Sequence, residues 1–219
     1  MKPFIITVAL AAALFGTALA SRAQTPEPPP KTADSTRLFF MPTGRTLPGG
    51  SGYFDVISLG IAQFQAGLGD WLSVGAGTPA VVLGGGRPVW VTPKVALARS
   101  RRLNAAAGSV QYFAAGSSGG FGYGVVTVTQ GAAGVTVGVL QGYGDVPSRA
   151  RALLFGVEHQ RSEHTRILLE ASVFRGGGLA IAGVRRVHKR FTSDFGMAVP
   201  LGEPGPLVAF PVINFGWRF

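Results

Sequence analysis

From Thr36 to the C-terminus, apolar and polar residues alternate with a period of two over runs of about 8 to 12 residues, and glycine returns every few positions. Successive side chains of a strand point to opposite faces, so each run reads as a strand with one apolar and one more polar side. No window in this stretch holds a long helical period. Twelve runs carry the pattern: 36–41, 52–66, 71–78, 88–99, 104–114, 121–130, 134–142, 151–160, 165–174, 178–188, 191–199 and 207–219. About ten alternating residues between turns is the length a tilted strand needs to cross a bilayer. The expected fold is all-β, a single antiparallel transmembrane β-barrel of about twelve strands. A soluble two-sheet sandwich would also explain the alternation, but not the last run.

That last run ends the protein on an aromatic. Counting back in twos puts Phe219, Trp217, Phe215, Ile213 and Pro211 on one face, and Arg218, Gly216, Asn214 and Val212 on the other. One face suits lipid and the other carries the polar groups. An amphipathic strand closing on Phe219 resembles the ends of bacterial outer-membrane β-barrels, and that resemblance implies Phe215, Trp217 and Phe219 as the candidate signal for the barrel-assembly machinery.

The connections alternate in character. Those at 67–70, 100–103, 131–133, 161–164 and 189–190 are tight and polar or basic, whereas 42–51, 79–87, 115–120, 143–150 and 200–206 are longer and rich in Gly or Pro. Short turns on one side and long loops on the other match an outer-membrane barrel, and an even strand count puts both termini on the short-turn, periplasmic side. Charge in mid-strand is costly against lipid, so Lys94, Glu158, Glu170, Asp194 and Arg218 are assigned to the lumen, where pairing across neighbouring strands would satisfy them. The aromatics Tyr53, Trp71, Trp90, Phe121, Tyr123, Phe174, Phe191 and Trp217 fall near strand ends, as interfacial girdles require. The glycines alternating with Phe121 and Tyr123 read as small lumen-facing positions behind an outward aromatic face.

Residues 1–23 read as a signal peptide: Lys2, an apolar run from Phe4 to Leu19, then small residues suited to cleavage after Ala20 or Ala23. Residues 24–34 are a Pro-rich periplasmic leader and 35–219 the outer-membrane barrel. The chain has no Cys, so neither a lipid anchor on cysteine nor a disulfide is available. Removing residues 1–23 takes away Lys2 and Arg22 and no acid, so the net charge of +10 falls to +8. The surplus sits in short basic segments such as 99–102 and 185–190, between apolar strands. That is unlike a nucleic-acid surface, and it suits strand ends beside anionic lipid headgroups.

Glu158, His159, Glu163 and His164 are four possible metal ligands in seven residues, but on a strand entering a turn consecutive side chains point apart, and the spacing is not that of a helical zinc motif. The three histidines, with His188, lie on the expected periplasmic side, and no Gly-x-Ser-x-Gly accompanies them. Nothing in the sequence points to a catalytic residue, a cofactor or a metal.

Residues 35–54, the hairpin 69–77, Thr92-Pro93-Lys94 and the ending 211–219 carry a likeness beyond pattern: the chain resembles a group of uncharacterised bacterial outer-membrane β-barrel proteins. The resemblance implies a barrel in the outer membrane, with lipids and the assembly machinery as partners, and brings no activity or site residue. A lumen rich in small residues with charges of both signs, and no long insertion among the loops to plug it, leads to the expectation of a narrow passive channel for small solutes. A structural barrel without a through path is the alternative, and a lipid-acting enzyme a third.

Overall fold

The computed structural model describes residues 36–58, 60–80, 88–114, 116–148, 150–202 and 208–219; the expected signal peptide and leader lie outside them. Thirteen strand segments follow in chain order: β1 (Gly52–Ile57), β2 (Ile61–Gly67), β3 (Leu72–Pro79), β4 (Val89–Val91), β5 (Lys94–Arg99), β6 (Leu103–Ala114), β7 (Ser117–Gln130), β8 (Ala133–Gly144), β9 (Arg151–Ser162), β10 (Thr165–Phe174), β11 (Gly177–His188), β12 (Phe191–Leu201) and β13 (Phe210–Arg218). β4 and β5 are two halves of one stave, since both lie between β3 and β6. They part at Thr92-Pro93, where proline has no N–H to offer the ladder. The neighbours bridge the break: Gly75 and Thr92 exchange backbone hydrogen bonds, and Ser109 donates to the Pro93 carbonyl.

Every stave pairs antiparallel with its neighbours in sequence, and β13 returns to β1 in the register Tyr53↔Arg218 and Phe54↔Trp217. Gly52 and Phe219 then exchange backbone hydrogen bonds at 3.1–3.2 Å. The result is a closed twelve-stave barrel, which leaves no edge strand unpaired.

The count of twelve agrees with the sequence pattern for a reason the pattern did not contain. Thr36–Met41, expected as the first strand, is not in the wall. Residues 52–66, expected as one strand, are the hairpin β1–β2, turned at 58–60 with Ser58 at φ 48°. Ser58 N–H donates to Asn214 Oδ1 at 3.0 Å, which ties this turn to the wall of β13. The two errors cancel.

Both termini of the wall share one end with the tight turns 68–71, 100–102, 131–132, 163–164 and 189–190. The opposite end is less uniform than expected. By length it holds the longer connections 80–88, 145–150 and 202–209, but also the short ones 58–60, 115–116 and 175–176. Residues 42–51 belong to the termini end, because they lead from the barrel interior into β1.

Outward positions of the staves form an apolar band that includes Leu97, Val126, Val137, Val139, Leu153, Phe195 and Met197, all exposed. Trp71, Phe191, Trp217 and Phe219 sit exposed at the termini end of this band. Four expected girdle aromatics turn inward instead. Tyr53 is 3% exposed, Trp90 stacks over the backbone of Gly77, Tyr123 lies over Gly108, and Phe121 shares the parity of Tyr123 and buried Val125. It is Gly120, Gly122 and Gly124 that face out, the reverse of the sequence reading, because Val126 and Val128 of the same parity are exposed.

Candidate functional site: the lumen and its inner hairpin

The segment before β1 fills the barrel. Thr36–Thr43 folds into a small hairpin, with Thr43 N–H on the Thr36 carbonyl and Leu38 N–H on the Met41 carbonyl, each at 2.9 Å. Arg37 and Pro42 form an isolated antiparallel bridge beside them. The chain then descends to the termini end through Gly44 N–H to Thr127 Oγ1 (2.8 Å), Leu47 N–H to Ser73 Oγ (2.8 Å), Thr46 Oγ1 to the Asp70 carbonyl (3.0 Å) and Gly50 N–H to the Gly67 carbonyl (3.1 Å). A backbone segment enclosed in a barrel has no sheet partner, so wall side chains must meet its polar groups.

The tip is apolar. Leu38, Phe39 and Met41 are all but fully buried against Ala106, Val125, Leu154, Leu168, Ile181, Ala198 and Val212, one residue from each of seven staves. Glycine makes the room. A Cβ on Gly196 would come within 2.8 Å of the Phe39 ring, and one on Gly156 would run into the Leu38 and Met41 side chains.

Below this layer lies a buried polar network. Arg37 Nε donates to Asp55 Oδ2 at 2.8 Å and its Nη1 to Asp194 Oδ2 at 3.2 Å, while Nη1 also reaches the Leu38 and Phe39 carbonyls at 2.9 Å. Arg185 holds Asp194 through Nε (2.6 Å) and Nη2 (2.8 Å) and donates to the carbonyls of Arg37 (3.1 Å) and Leu38 (2.7 Å). Asn214 Nδ2 bonds Asp194 Oδ2 at 3.2 Å and the Phe39 carbonyl at 3.3 Å. Two guanidinium groups thus face two carboxylates, which leaves this cluster neutral; enclosed charges are tolerated only when so matched.

Four of the five lumen candidates fasten this segment. Glu170 accepts the N–H groups of Phe40 and Met41 at 3.0 and 3.1 Å. Lys94 Nζ donates to the Thr36 carbonyl at 3.0 Å. Glu158 pairs with Arg45, whose other nitrogen reaches Thr129 Oγ1 at 2.9 Å. Asp194 centres the network already described. Arg218 stands apart near the termini rim, where it donates to the Lys189 carbonyl.

The expectation that lumen charges satisfy one another across neighbouring strands holds for Arg185 and Asp194, which are directly opposed. Lys94, Glu158 and Glu170 instead meet the inner segment. The expectation that nothing could plug the lumen is overturned by the same contacts. Asn214 lies on the inner side as the polar face of the last run predicts, whereas Arg185, expected with the basic segment 185–190 at a strand end beside lipid headgroups, is 1% exposed inside the barrel because Asp194 is directly opposite. Arg37 and Asp55 carried no expectation of their own, though Asp55 is an acid in mid-run and so a lumen residue by the rule that found the others.

Glu158 and His159 point to opposite faces, and among the described residues no group of three or more His, Asp or Glu is placed to hold a metal. His164 and His188 do approach, with ring centroids 6.5 Å apart on the termini side.

No protein-family model matches the chain, and no curated protein matches it. Solved structures do: the KdgM porin at TM-score 0.57 with 7% identity, and the KdgM porin in complex with disordered oligogalacturonate at 0.58 with 6%, each covering 77% of this chain and 96% of that one. The chain shares their barrel fold. The NanC porin overlaps less well, at TM-score 0.49 over 77% of this chain and 97% of that one, with 6% identity. At such identities the likeness extends to the fold and no further.

Proposed function

We propose that the chain is an outer-membrane barrel of the channel type, held closed by its own residues 36–50, which conducts small solutes when that segment leaves the lumen. The observation that carries this reading is the inner hairpin. It occupies the space a solute would cross, it is fastened by side-chain contacts and by no sheet ladder, and it belongs to no strand of the wall. The apolar outer band and the porin-like fold support the bilayer placement, and the termini-side turns would then face the periplasm.

Closed barrels grow in diameter with strand number, and twelve staves enclose more room than side chains alone fill, unlike eight. The inner segment accounts for that room. A barrel with no through path is the second reading, favoured by the number of independent fastenings on the hairpin.

Single-channel recording in planar bilayers separates the two. The mature chain is expected to be closed for most of the record, and Arg37→Ala with Phe39→Ala, which removes the charged latch and the buried ring, to raise the open fraction by about tenfold or more, equivalent to about 1.4 kcal/mol. A double variant that inserts normally and stays silent would refute passage and leave the structural barrel.

A further inference from the structure

The outer wall carries a furrow of about 320 Å³ on β7 and β8, with Gly122 and Gly124 on its floor and Val139, Gln141 and Tyr143 along its side. It faces away from the lumen, since Gly122 and Gly124 share the parity of exposed Val126 and Val128. A Cβ added at either glycine would meet nothing within 4 Å, so the furrow is open where the wall below it carries valine. It lies toward the end opposite the termini.

At its upper side Gln141 is directly opposed to Arg151 of β9, and both are exposed on the outer face. Directly opposed residues of an antiparallel pair bring their Cβ atoms to about 4.5–5.5 Å. Among the described residues, the side chains of Gln141, Tyr143 and Arg151 have no hydrogen-bond or ion-pair partner. An amide and a guanidinium on a membrane-facing wall are costly unless something polar meets them.

A second copy of the chain would not meet Arg151 through its wall. Of the acids among the described residues, Asp55, Glu158, Glu170 and Asp194 point into the lumen and Asp70 and Glu163 lie in termini-side turns. Asp145, in a loop, is already bonded to Ser117 and Ser118. What supplies an anion and an apolar chain together is a lipid.

We propose that this furrow binds an acylated, phosphate-bearing membrane lipid, with an acyl chain over Gly122 and Gly124, carbonyl groups beside Gln141 and Tyr143, and the phosphate on Arg151. The site depends on the bilayer placement and not on solute passage, so a silent channel would leave it intact. Native mass spectrometry of the mature chain in dodecyl maltoside, with dipalmitoyl phosphatidic acid and dipalmitoylglycerol as probes, tests it because the two differ only by the phosphate. The wild type is expected to retain the phosphatidic acid about tenfold better. Arg151→Gln should erase that preference, and Gly122→Leu with Gly124→Leu, which fills open space, should lower retention of both probes while heat-modifiable gel migration stays normal. Undiminished retention in a folded filled-furrow variant overturns the proposal. So does an unchanged preference in Arg151→Gln, or a dimer that the filled furrow dissociates, which would make the furrow a contact between copies.

Discussion

Asp194 shows how much a single residue carries here. It is 2% exposed and accepts from Arg37, Arg185 and Asn214, so it joins the inner segment to two staves at once. Replacing one partner of such a pair strands the other charge away from water, which costs about 3–5 kcal/mol. Asp194→Asn is therefore expected to lower the urea midpoint of the folded barrel in detergent clearly, whereas Arg218→Ala at the rim should leave it nearly unchanged; equal effects would contradict the network. Gly156 carries the opposite kind of constraint, an absence of side chain. Gly156→Phe should expel Leu38 and Met41 from the lumen while the wall still forms, detectable as new protease cleavage within residues 36–50 of an otherwise heat-modifiable barrel. Asp194 was legible in the sequence because mid-strand charge implies a lumen. Gly156 was not, since its meaning depends on a segment more than a hundred residues away.

Among the elements, β13 follows the sequence reading most closely. Its period-two pattern puts Ile213, Phe215 and Trp217 outside and Val212, Asn214 and Gly216 inside, and it closes on β1. Phe219 stacks on Phe64 of β2 at 5.6 Å, so the terminal ring also covers the seam. Trp217→Ser with Phe219→Ser is expected to reduce outer-membrane insertion several-fold and leave periplasmic or degraded protein, read by fractionation and immunoblot; normal insertion would remove the terminal aromatics as an assembly signal. At the far end, the loop after β8 is clamped by Asp145, whose carboxylate accepts from Ser118 N–H at 2.6 Å and Ser117 Oγ at 2.9 Å. The Ser118 backbone bond, with help from the Ser117 hydroxyl, holds the Asp145 carboxyl below its usual range. Because the folded pKa is lowered, the clamp is fully present above the ordinary carboxylate range and is lost as pH falls through the lowered value. Protection of the Ser118 amide against exchange, taken relative to its intrinsic rate at each pH, should fall over that acid window, and Asp145→Asn should flatten the dependence. Residues 36–41 misled as an element because Leu38, Phe39 and Met41 are apolar enough for a strand, and a buried hairpin in a lumen asks for the same residue types as a wall.

For the molecule as a whole, closure of the sheet and occupation of its interior are separate matters that respond to different perturbations. Circular dichroism of the detergent-solubilised chain should show β-structure without appreciable helix, and unheated samples should migrate faster on gels than boiled ones, both unaffected by the latch variants that alter conductance. The sequence by itself determined that the chain is a strand-built barrel with an apolar exterior, where its termini-side turns fall, and which side chains of most staves face inward. Those follow from alternation and from the cost of charge in lipid, both local rules. Only the tertiary structure decided that the first expected strand lies inside the barrel, that 52–66 is two staves, and that Tyr53, Trp90, Phe121 and Tyr123 face the lumen. The reason is that a lumen is a second interior: once the wall closes, apolar residues are buried on its inner side as well as facing lipid on its outer side, and the period of two cannot say which.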